Sequence, residues 1–474
     1  MTDDHAAVWP SLPELRDGLR RGTWRAVDLL ARCHDRIAGV DPLVRAIVAL
    51  DPSADAAARE SDRRFAEGAA RALEGVPVLV KDNIDTAGLA TTAGSRLLAV
   101  PPVADADVVA MLRAAGAVVA GKTAMTEWGN FRSTAAIEGW SGVGGQTANP
   151  FALTHSPWGS SSGSAVAVAT GMAPVAFGTE TDGSIVCPAA VNGVVGVKPA
   201  RGLLPTRGVV PISPEVDTVG VLCGSVADAT FVLAALGMPP APPVRAPRVG
   251  YWPGRRMDAE VLAVADRVVA RVEHVPVELT FDGPMLVGAL DALIAEFRPA
   301  LEGYLATRPG VPSTVDELIA ANRADPVALA LFGQELFELA AAVTGEDRVA
   351  ARAKRAAARA WARAEVTAAL GDLDAIVAPT CGPAWLVDPA VPPPITRATS
   401  TYAALAGLAN VTVPMGSVGG LPVGLSVFGP ATTGATLAVA GAVAAVCGPR
   451  PVPNCRSTAS SAAVGAAPAA VVSE

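Results

Sequence analysis

The stretch "WGSSSGSAVAVATG", residues 158–171, joins a cluster of glycines and serines to an apolar tail. Such a cluster alone is the usual composition of a flexible connector. The residues that follow argue against a connector, because residues 164–178 carry no charge and are rich in Ala and Val. A segment of that composition is buried. Three successive hydroxyls, those of Ser160, Ser161 and Ser162, therefore stand at the beginning of a core segment.

Buried strands alternate with helices on both sides of this stretch. Residues 76–80 form an apolar run that ends at Lys81, and residues 117–120 form another after a helical pattern. Residues 164–173 and 175–177 continue as helix and strand. Strands that are apolar throughout are buried on both faces. The sequence predicts an α/β fold with a mixed central sheet covered by helices on both faces.

The composition predicts a globular protein whose core consists of Ala, Val and Leu. Of 474 residues, 51% are hydrophobic and 17% charged, and the net charge is -8. No basic stripe is present, so we expect no nucleic acid as a partner. Six scattered cysteines without a C-x-x-C pair predict neither disulfides nor a metal site, and we expect no cofactor. The acidic start "MTDDHAAVWP" is unlike a signal peptide, so we expect a cytoplasmic protein.

One segment is long enough to raise the question of a membrane span. Residues 398–448 contain no Lys, Arg, Asp or Glu, a length that exceeds what a spanning helix needs. Three prolines and many glycines divide the segment into short pieces. We therefore expect a buried sheet and helix here and no contact with a membrane.

A nucleophilic serine needs a base, and this chain offers few histidines. They are His5, His34, His155 and His274, and no G-x-S-x-G elbow accompanies them. Lys81 is the alternative, because burial at a strand end lowers the pKa of an amine and leaves a neutral base. A lysine in such a position is also commonly a solvated surface group.

A second polar segment, "GTETDGSIVCPAA" at residues 178–190, directly follows a predicted strand. Its successive backbone N–H groups could converge on one point and bind an oxyanion. An ordinary turn is the alternative interpretation.

Taken together, these segments resemble the amidase signature family. The resemblance covers residues 12–236 and returns at residues 376–445. Six stretches occur in the family's order and spacing: "GVPVLVKDNID", "GKTAMTEWGNF", "GGQTANPF", "WGSSSGSAVAVATG", "GTETDGSIVCPAAVNGVVGVKPARG" and "PISPEVDTVG". It implies the amidase-signature fold, with residues 1–450 as a single catalytic domain. We expect a helix-rich variable region at about residues 239–370 to form most of the substrate pocket, and a disordered tail at residues 451–474.

The resemblance also implies a catalytic triad. Lys81 matches the family's base, Ser160 the bridging serine and Ser184 the nucleophile. By the same likeness, the Gly159–Ser160 peptide bond is expected to be cis.

Further site residues follow from the same resemblance. Oxyanion donors would be the backbone N–H groups of Thr181, Asp182, Gly183 and Ser184, and pocket residues would be Gly129, Asn130 and Ser161. Asp217 is expected to order a turn, and Cys187 to be a packed thiol. The sequence departs from the commonest family pattern at Trp158, Ser162, Asp182 and Val186.

The implied function is hydrolysis of a carboxamide through a seryl acyl-enzyme, which yields a carboxylic acid and ammonia or an amine. The partner is a small-molecule amide, and the sequence leaves a homodimer open. One alternative is a glutamine-dependent amidotransferase A-type subunit, whose role accompanies an arginine where this chain has Val186. A biosynthetic acyl transferase and a non-catalytic scaffold are the others, the scaffold being disfavoured because all three triad residues are present.

Overall fold

One large sheet runs through the described part of the chain, residues 8–388 and 398–455 of a computed structural model. The strands in chain order are β1 (Ile47–Leu50), β2 (Pro77–Lys81), β3 (Val118–Thr123), β4 (Trp140–Ser141), β5 (Gly145–Gln146), β6 (Val175–Glu180), β7 (Val195–Lys198), β8 (Thr218–Cys223), β9 (Arg248–Tyr251), β10 (Glu273–Pro276), β11 (Ala375–Pro379), β12 (Asn410–Val418) and β13 (Leu421–Phe428). They lie in the order β1-β3-β2-β6-β8-β7-β12-β13-β11-β9-β10, and β4 and β5 form a separate two-stranded ladder.

Helices cover this sheet. In chain order they are α1 (Leu12–Arg20), α2 (Ala26–Val44), α3 (Ala54–Ala66), α4 (Asp107–Ala115), α5 (Ser162–Ala169), α6 (Val186–Val191), α7 (Val226–Ala235), α8 (Ala259–Val269), α9 (Gly283–Leu305), α10 (Val315–Ala324), α11 (Glu335–Ala342), α12 (Gly345–Leu370), α13 (Thr401–Ala406) and α14 (Thr433–Cys447). Every residue of β2, β3, β6, β7, β8 and β11 is buried. Because successive side chains of a strand point to opposite faces, both faces of the sheet are covered.

The sheet is mixed. Strand β2 pairs in parallel with β3 and with β6, whereas β6 pairs with β8, and β12 with β13, in antiparallel fashion. The predicted α/β fold with a mixed sheet is thus confirmed.

The order of α5 and β6 places the serine run beside Lys81. Helix α5 is followed by a short connection into β6, so its N-terminus lies near the carboxyl end of that strand. Strands β2 and β6 are parallel neighbours, with Val80 opposite Phe177. Their carboxyl ends therefore share one edge of the sheet, where α5 begins.

The helix-rich region is a group of helices built around α9 and α12. The two helices pack through small side chains, among them Ala292, Ala295 and Ala351. Strands β9 and β10 also lie in this part of the chain, and the sequence pattern did not predict them. They are short, and they pair in parallel with each other. Strand β9 continues the main sheet by pairing with β11.

The uncharged segment at residues 398–448 folds as predicted, into the hairpin β12–β13 and the helices α13 and α14. No described helix has both the length and the apolar character needed to cross a membrane. Most of the predicted disordered tail, residues 456–474, lies outside the described residues. Within its described beginning, Cys455 N donates to Pro150 O at 3.1 Å.

Candidate active site

Lys81 is the last residue of β2, and its side chain is completely buried. Its Nζ lies 2.8 Å from Ser160 Oγ, 2.8 Å from Thr179 Oγ1 and 3.2 Å from Thr179 O. Burial lowers the pKa of Lys81 from 10.5 to about 7, because the charged amine loses its hydration. Nearby carboxyl groups oppose this shift through their negative charge, namely those of Glu180, Asp217 and Glu138.

Ser160 is the residue that Lys81 meets across the edge of the sheet. The Gly159–Ser160 peptide bond is cis, as the family resemblance implies. Ser160 O accepts a hydrogen bond from Thr126 N at 3.1 Å, and the residue is 2% exposed. The hydrogen bond to Ser160 O restrains the backbone at this residue, and its hydroxyl faces the lysine.

The other two serines of the run hold the loop. Ser161 Oγ donates to Thr179 O at 3.1 Å, which ties the beginning of α5 to β6. Ser162 Oγ donates to Trp158 O at 2.6 Å and closes the turn before the helix. Of the three hydroxyls, the one at Ser160 is turned to Lys81, whereas these two serve the backbone.

Ser184 lies in the turn between β6 and α6. Its carbonyl oxygen accepts a hydrogen bond from Ser161 N at 3.1 Å, so the two serine segments are joined through the backbone. Ser160 and Ser184 both line a narrow cavity of about 20 Å³, room for about one water molecule. Within residues 8–388 and 398–455, no hydrogen bond joins their two hydroxyls directly.

The turn before Ser184 presents free backbone donors. Among the described residues, the backbone N–H groups of Asp182, Gly183 and Ser184 have no acceptor. Gly183 has a φ of 79°, a left-handed conformation that favours glycine. A Cβ at this position would lie 3.0 Å from Cys187 Sγ, so a side chain would crowd the turn.

The donors that follow Ser184 are already used. Glu180 Oε2 accepts hydrogen bonds from Ile185 N at 2.7 Å and from Val186 N at 3.0 Å. No sequence pattern singled out this carboxylate, although it lies within the quoted "GTETDGS" segment. Glu180 thereby fixes the beginning of α6 and the direction of the turn that carries Ser184.

Asp182 does not face the cavity. Its carboxylate accepts hydrogen bonds from Ser400 Oγ at 2.5 Å and Thr401 Oγ1 at 2.7 Å. Asp182 is not among the residues that line the cavity. The carboxyl group at this unusual position is therefore held at the beginning of α13, and the turn keeps only its backbone donors toward the cavity.

Asp217 orders a turn, as predicted, and also contacts the segment before Ser184. Its Oδ2 accepts hydrogen bonds from Ile212 N at 2.8 Å and Ser213 N at 2.9 Å. Its Oδ1 accepts a hydrogen bond from Thr181 Oγ1 at 2.6 Å. Burial raises the pKa of Asp217 to about 6. Cys187 is buried, and burial raises the pKa of its thiol well above the usual range, in keeping with a packed thiol.

The cavity around the two serines is built from residues 83–219, with no described residue of the region 239–370 in its lining. The expectation that this region forms most of the pocket is therefore wrong for the cavity at Ser184. A neighbouring cavity of about 430 Å³ shares Thr206, Val209, Pro211 and Asp217 with it. There the variable region contributes Ala300, Gly303, Tyr304, Thr307 and Arg308.

The three predicted pocket residues occupy different places. Gly129 lines the cavity, and a Cβ there would lie 3.0 Å from Ile212 Cδ1. Asn130 and Ser161 are not among the lining residues. Asn130 Nδ2 instead donates to Glu138 Oε1 at 2.8 Å. A carboxyl that no sequence pattern indicated thus lies behind the cavity wall, and burial raises the pKa of Glu138 to about 7.

Helix α9 reaches the loop that follows Lys81. Tyr304 Oη donates to Asp85 Oδ1 at 2.7 Å, and Arg308 Nη1 lies 3.2 Å from the same oxygen. Asp85 was not predicted as a site residue, because a single aspartate after a strand carries no distinct pattern. These contacts attach the variable region to the segment that positions the lysine.

Comparison with known proteins gives consistent relatives. The family model described as Amidase matches residues 28–437. The chain is 34% identical over 434 residues, or 83% of this chain and 81% of the relative, to an Arabidopsis thaliana protein named "Probable amidase At4g34880". It is 33% identical to the A-type subunit of the glutamyl-tRNA(Gln) amidotransferase from Symbiobacterium thermophilum, over 86% of this chain and 90% of that one. It also resembles the crystal structure of native peptide amidase from Stenotrophomonas maltophilia, with a TM-score of 0.86, 40% identity and coverage of 94% of this chain and 98% of that chain.

Proposed function

Because the chain belongs to the amidase family, a hydrolase family that acts on carbon–nitrogen bonds of amides, we propose that Lys81, Ser160 and Ser184 form its catalytic triad. The observation that carries this proposal is the 2.8 Å contact between the buried Lys81 Nζ and Ser160 Oγ, beside the cavity that Ser184 also lines. No other lysine in the described part of the chain makes a hydrogen bond to a serine hydroxyl.

The proposed proton relay follows from the bonds that Lys81 makes. A neutral amine has two hydrogens and one lone pair. The two oxygens of Thr179 can take both hydrogens, and the lone pair then faces Ser160. Ser160 gives its proton to Lys81 and takes the proton of Ser184, whose Oγ attacks the substrate carbonyl carbon.

The tetrahedral intermediate would be stabilised by the turn at residues 181–184. Its oxyanion accepts hydrogen bonds from the backbone N–H groups of Thr181, Asp182, Gly183 and Ser184, and each such donor contributes on the order of 3 kcal/mol. The carbon–nitrogen bond then breaks, the relay returns its proton to the leaving nitrogen, and an acyl-enzyme remains on Ser184. Water then attacks the acyl carbon and gives a proton to Lys81 through Ser160, and the relay returns that proton to Ser184 Oγ as the acid leaves.

We further propose that the substrate is a carboxamide at the end of a peptide or peptide-like molecule, since the similar structure is that of a peptide amidase. The cavity of about 430 Å³ beside the serine cavity suits the body of such a molecule. On this interpretation the products are a carboxylic acid and ammonia.

A glutamine-dependent amidotransferase is the second candidate, since several relatives carry that name. That role accompanies an arginine two residues after the nucleophile. Here Val186 is completely buried against Trp158 and Cys187 in an apolar cluster, which leaves no polar contact for a substrate carboxylate. We therefore favour a stand-alone amidase, and we propose a cytoplasmic location on account of the free cysteines.

A serine-directed fluorophosphonate tests the nucleophile. We expect one covalent label at Ser184 in the wild type, located by peptide mass spectrometry, and none in Ser184→Ala. A Ser162→Ala variant should still be labelled, because that hydroxyl bonds only to Trp158 O. Labelling of Ser184→Ala at an unchanged rate would reassign the nucleophile.

Substrate class is tested by ammonia release from the purified chain. We expect turnover of peptide amides without any added protein and much less turnover of free glutamine. Release of ammonia from glutamine that depends on a partner protein would support the amidotransferase instead.

A further inference from the structure

Resting on the proposed function, we propose that Glu296 of α9 is a positioning residue for the oxyanion turn. It would act through a line of hydrogen bonds that runs from Arg355 through Glu296, Ser213 and Asp217 to Thr181. We refer to these five residues as the α12–turn chain. It begins on the variable helices and ends at the residue that opens the turn before Ser184.

The α12–turn chain begins with an ion pair between α12 and α9. Arg355 Nε lies 3.1 Å from Glu296 Oε1, and Arg355 Nη2 lies 3.1 Å from Glu296 Oε2. The Arg355 side chain is 5% exposed and that of Glu296 16% exposed. Arg355 Nη2 also donates to Ala289 O at 3.3 Å, which fixes the guanidinium against α9. A two-pronged pair of this kind sets the direction of the carboxylate.

Glu296 in turn binds the loop before β8. Its Oε2 accepts a hydrogen bond from Ser213 Oγ at 2.5 Å. The Ser213 hydroxyl oxygen in turn accepts a hydrogen bond from Glu215 N at 3.2 Å. The hydroxyl of Ser213 thus joins the variable helices to a loop whose residues line the cavity at Ser184.

The last links reach the turn itself. Ser213 N donates to Asp217 Oδ2 at 2.9 Å, and Asp217 Oδ1 accepts from Thr181 Oγ1 at 2.6 Å. Thr181 and Asp217 both line the cavity. Because the Asp217 carboxylate is held on one side by the Ser213 loop, it holds Thr181 on the other.

Through the α12–turn chain, the variable region at residues 239–370 can influence the reaction although it does not line the cavity at Ser184. The position of an oxyanion donor matters at the level of about 1 Å, where a displacement can lower the rate by about 100-fold. Loosening Glu296 would let the Ser213 loop and Asp217 move, and the backbone donors after Thr181 would move with them. Substrate binding in the ground state would change less, since it does not depend on those donors.

The test compares variants that differ only in this link. Glu296→Ala removes the acceptor, Glu296→Gln keeps one oxygen for Ser213, and Ser213→Ala removes the hydroxyl while its backbone N–H remains. The matched control is Lys354→Ala, which breaks an exposed ion pair between the same two helices, Lys354 to Asp291 at 2.6 Å.

We expect Glu296→Ala and Ser213→Ala to lower kcat on a peptide amide about tenfold, with KM changed less than about twofold. Glu296→Gln should recover part of this loss, and Lys354→Ala should behave as the wild type. A peptide aldehyde gives a second readout, because Ser184 Oγ adds to its carbonyl carbon and the oxygen becomes an oxyanion in the turn. Its affinity should fall with kcat, whereas the affinity of the matching peptide alcohol, which forms no oxyanion, should stay constant.

Two results would overturn the proposal. Either Glu296→Ala and Ser213→Ala match Lys354→Ala in kcat and aldehyde affinity, or they weaken the aldehyde and the alcohol equally. Ser213→Ala is the smaller change and decides the matter if Glu296→Ala does not fold. Full turnover by Ser184→Ala would instead remove the proposed function, so the two failures are distinguishable.

Discussion

The buried amine of Lys81 makes the stability of this protein depend on pH in a way that can be measured. The folded state binds a proton at Lys81 only up to about pH 7, whereas the unfolded chain binds it up to a pKa of 10.5. Between these values the unfolded state holds more protons, so the free energy of unfolding rises with pH. Keeping this amine buried at about pH 7 costs about 4 kcal/mol by the same relation.

The perturbation is Lys81→Met, which keeps the length of the side chain and removes the titrating group. Its unpaired neighbours, Ser160 and Thr179, destabilise the variant to the same extent at every pH. The difference in unfolding free energy, wild type minus variant, should therefore rise by about 2 kcal/mol between about pH 7 and about pH 9.

Guanidinium unfolding followed by tryptophan fluorescence measures this difference, with Lys354→Met, an exposed lysine, as the control. The corresponding activity experiment is the pH profile of kcat/KM, which should fall below about pH 7 as Lys81 takes up a proton. A difference that stays constant with pH, or a profile that is flat between about pH 6 and about pH 8, would show that Lys81 is not the neutral base.

Four further variants test other parts of the site. Ser160→Ala should lower kcat about 10³-fold in a steady-state amide assay, whereas Ser162→Ala, whose hydroxyl closes only its own turn on Trp158 O, should lose less than about tenfold; equal losses would refute the distinction. Gly183→Ala should lower the unfolding free energy by about 1–3 kcal/mol in thermal unfolding, because its φ is 79° and the added Cβ crowds Cys187; a wild-type Tm would contradict this. Val186→Arg should destabilise the protein by about 3 kcal/mol or more in urea, because it buries an unpaired charge in an apolar cluster; a stable, active variant would mean that the position can face the substrate.

The central part of the fold could be predicted because its strands begin with apolar runs. Strands β2, β3 and β6 are buried on both faces, so their composition alone sets them apart from loops. Strands β9 and β10 could not be predicted in this way. They are short, and β10, at the edge of the sheet, has three exposed residues among its four, so no apolar run marks it.

Some features of the site could likewise be predicted from the sequence, whereas others could not. A lysine at a strand end and a serine run at a helix start are local patterns, and the resemblance to a family connects them. The contacts of Asp182 with Ser400 and of Glu296 with Ser213 join residues that are 218 and 83 positions apart. Contacts of that kind depend on how helices and loops pack in three dimensions, so no local sequence pattern predicts them.

The helical group from α9 to α12 leaves the sheet after its edge strand β10 and returns at β11, which pairs with β9. The helical group therefore begins and ends at the same edge of the sheet. Removing it would break no pairing between the strands that remain. Related enzymes could therefore carry different inserts at this place while they share the same central sheet. The site at Lys81 would keep its geometry as long as a new insert supplied partners for Asp85 and Ser213. The neighbouring cavity of about 430 Å³ would have a different shape with each insert.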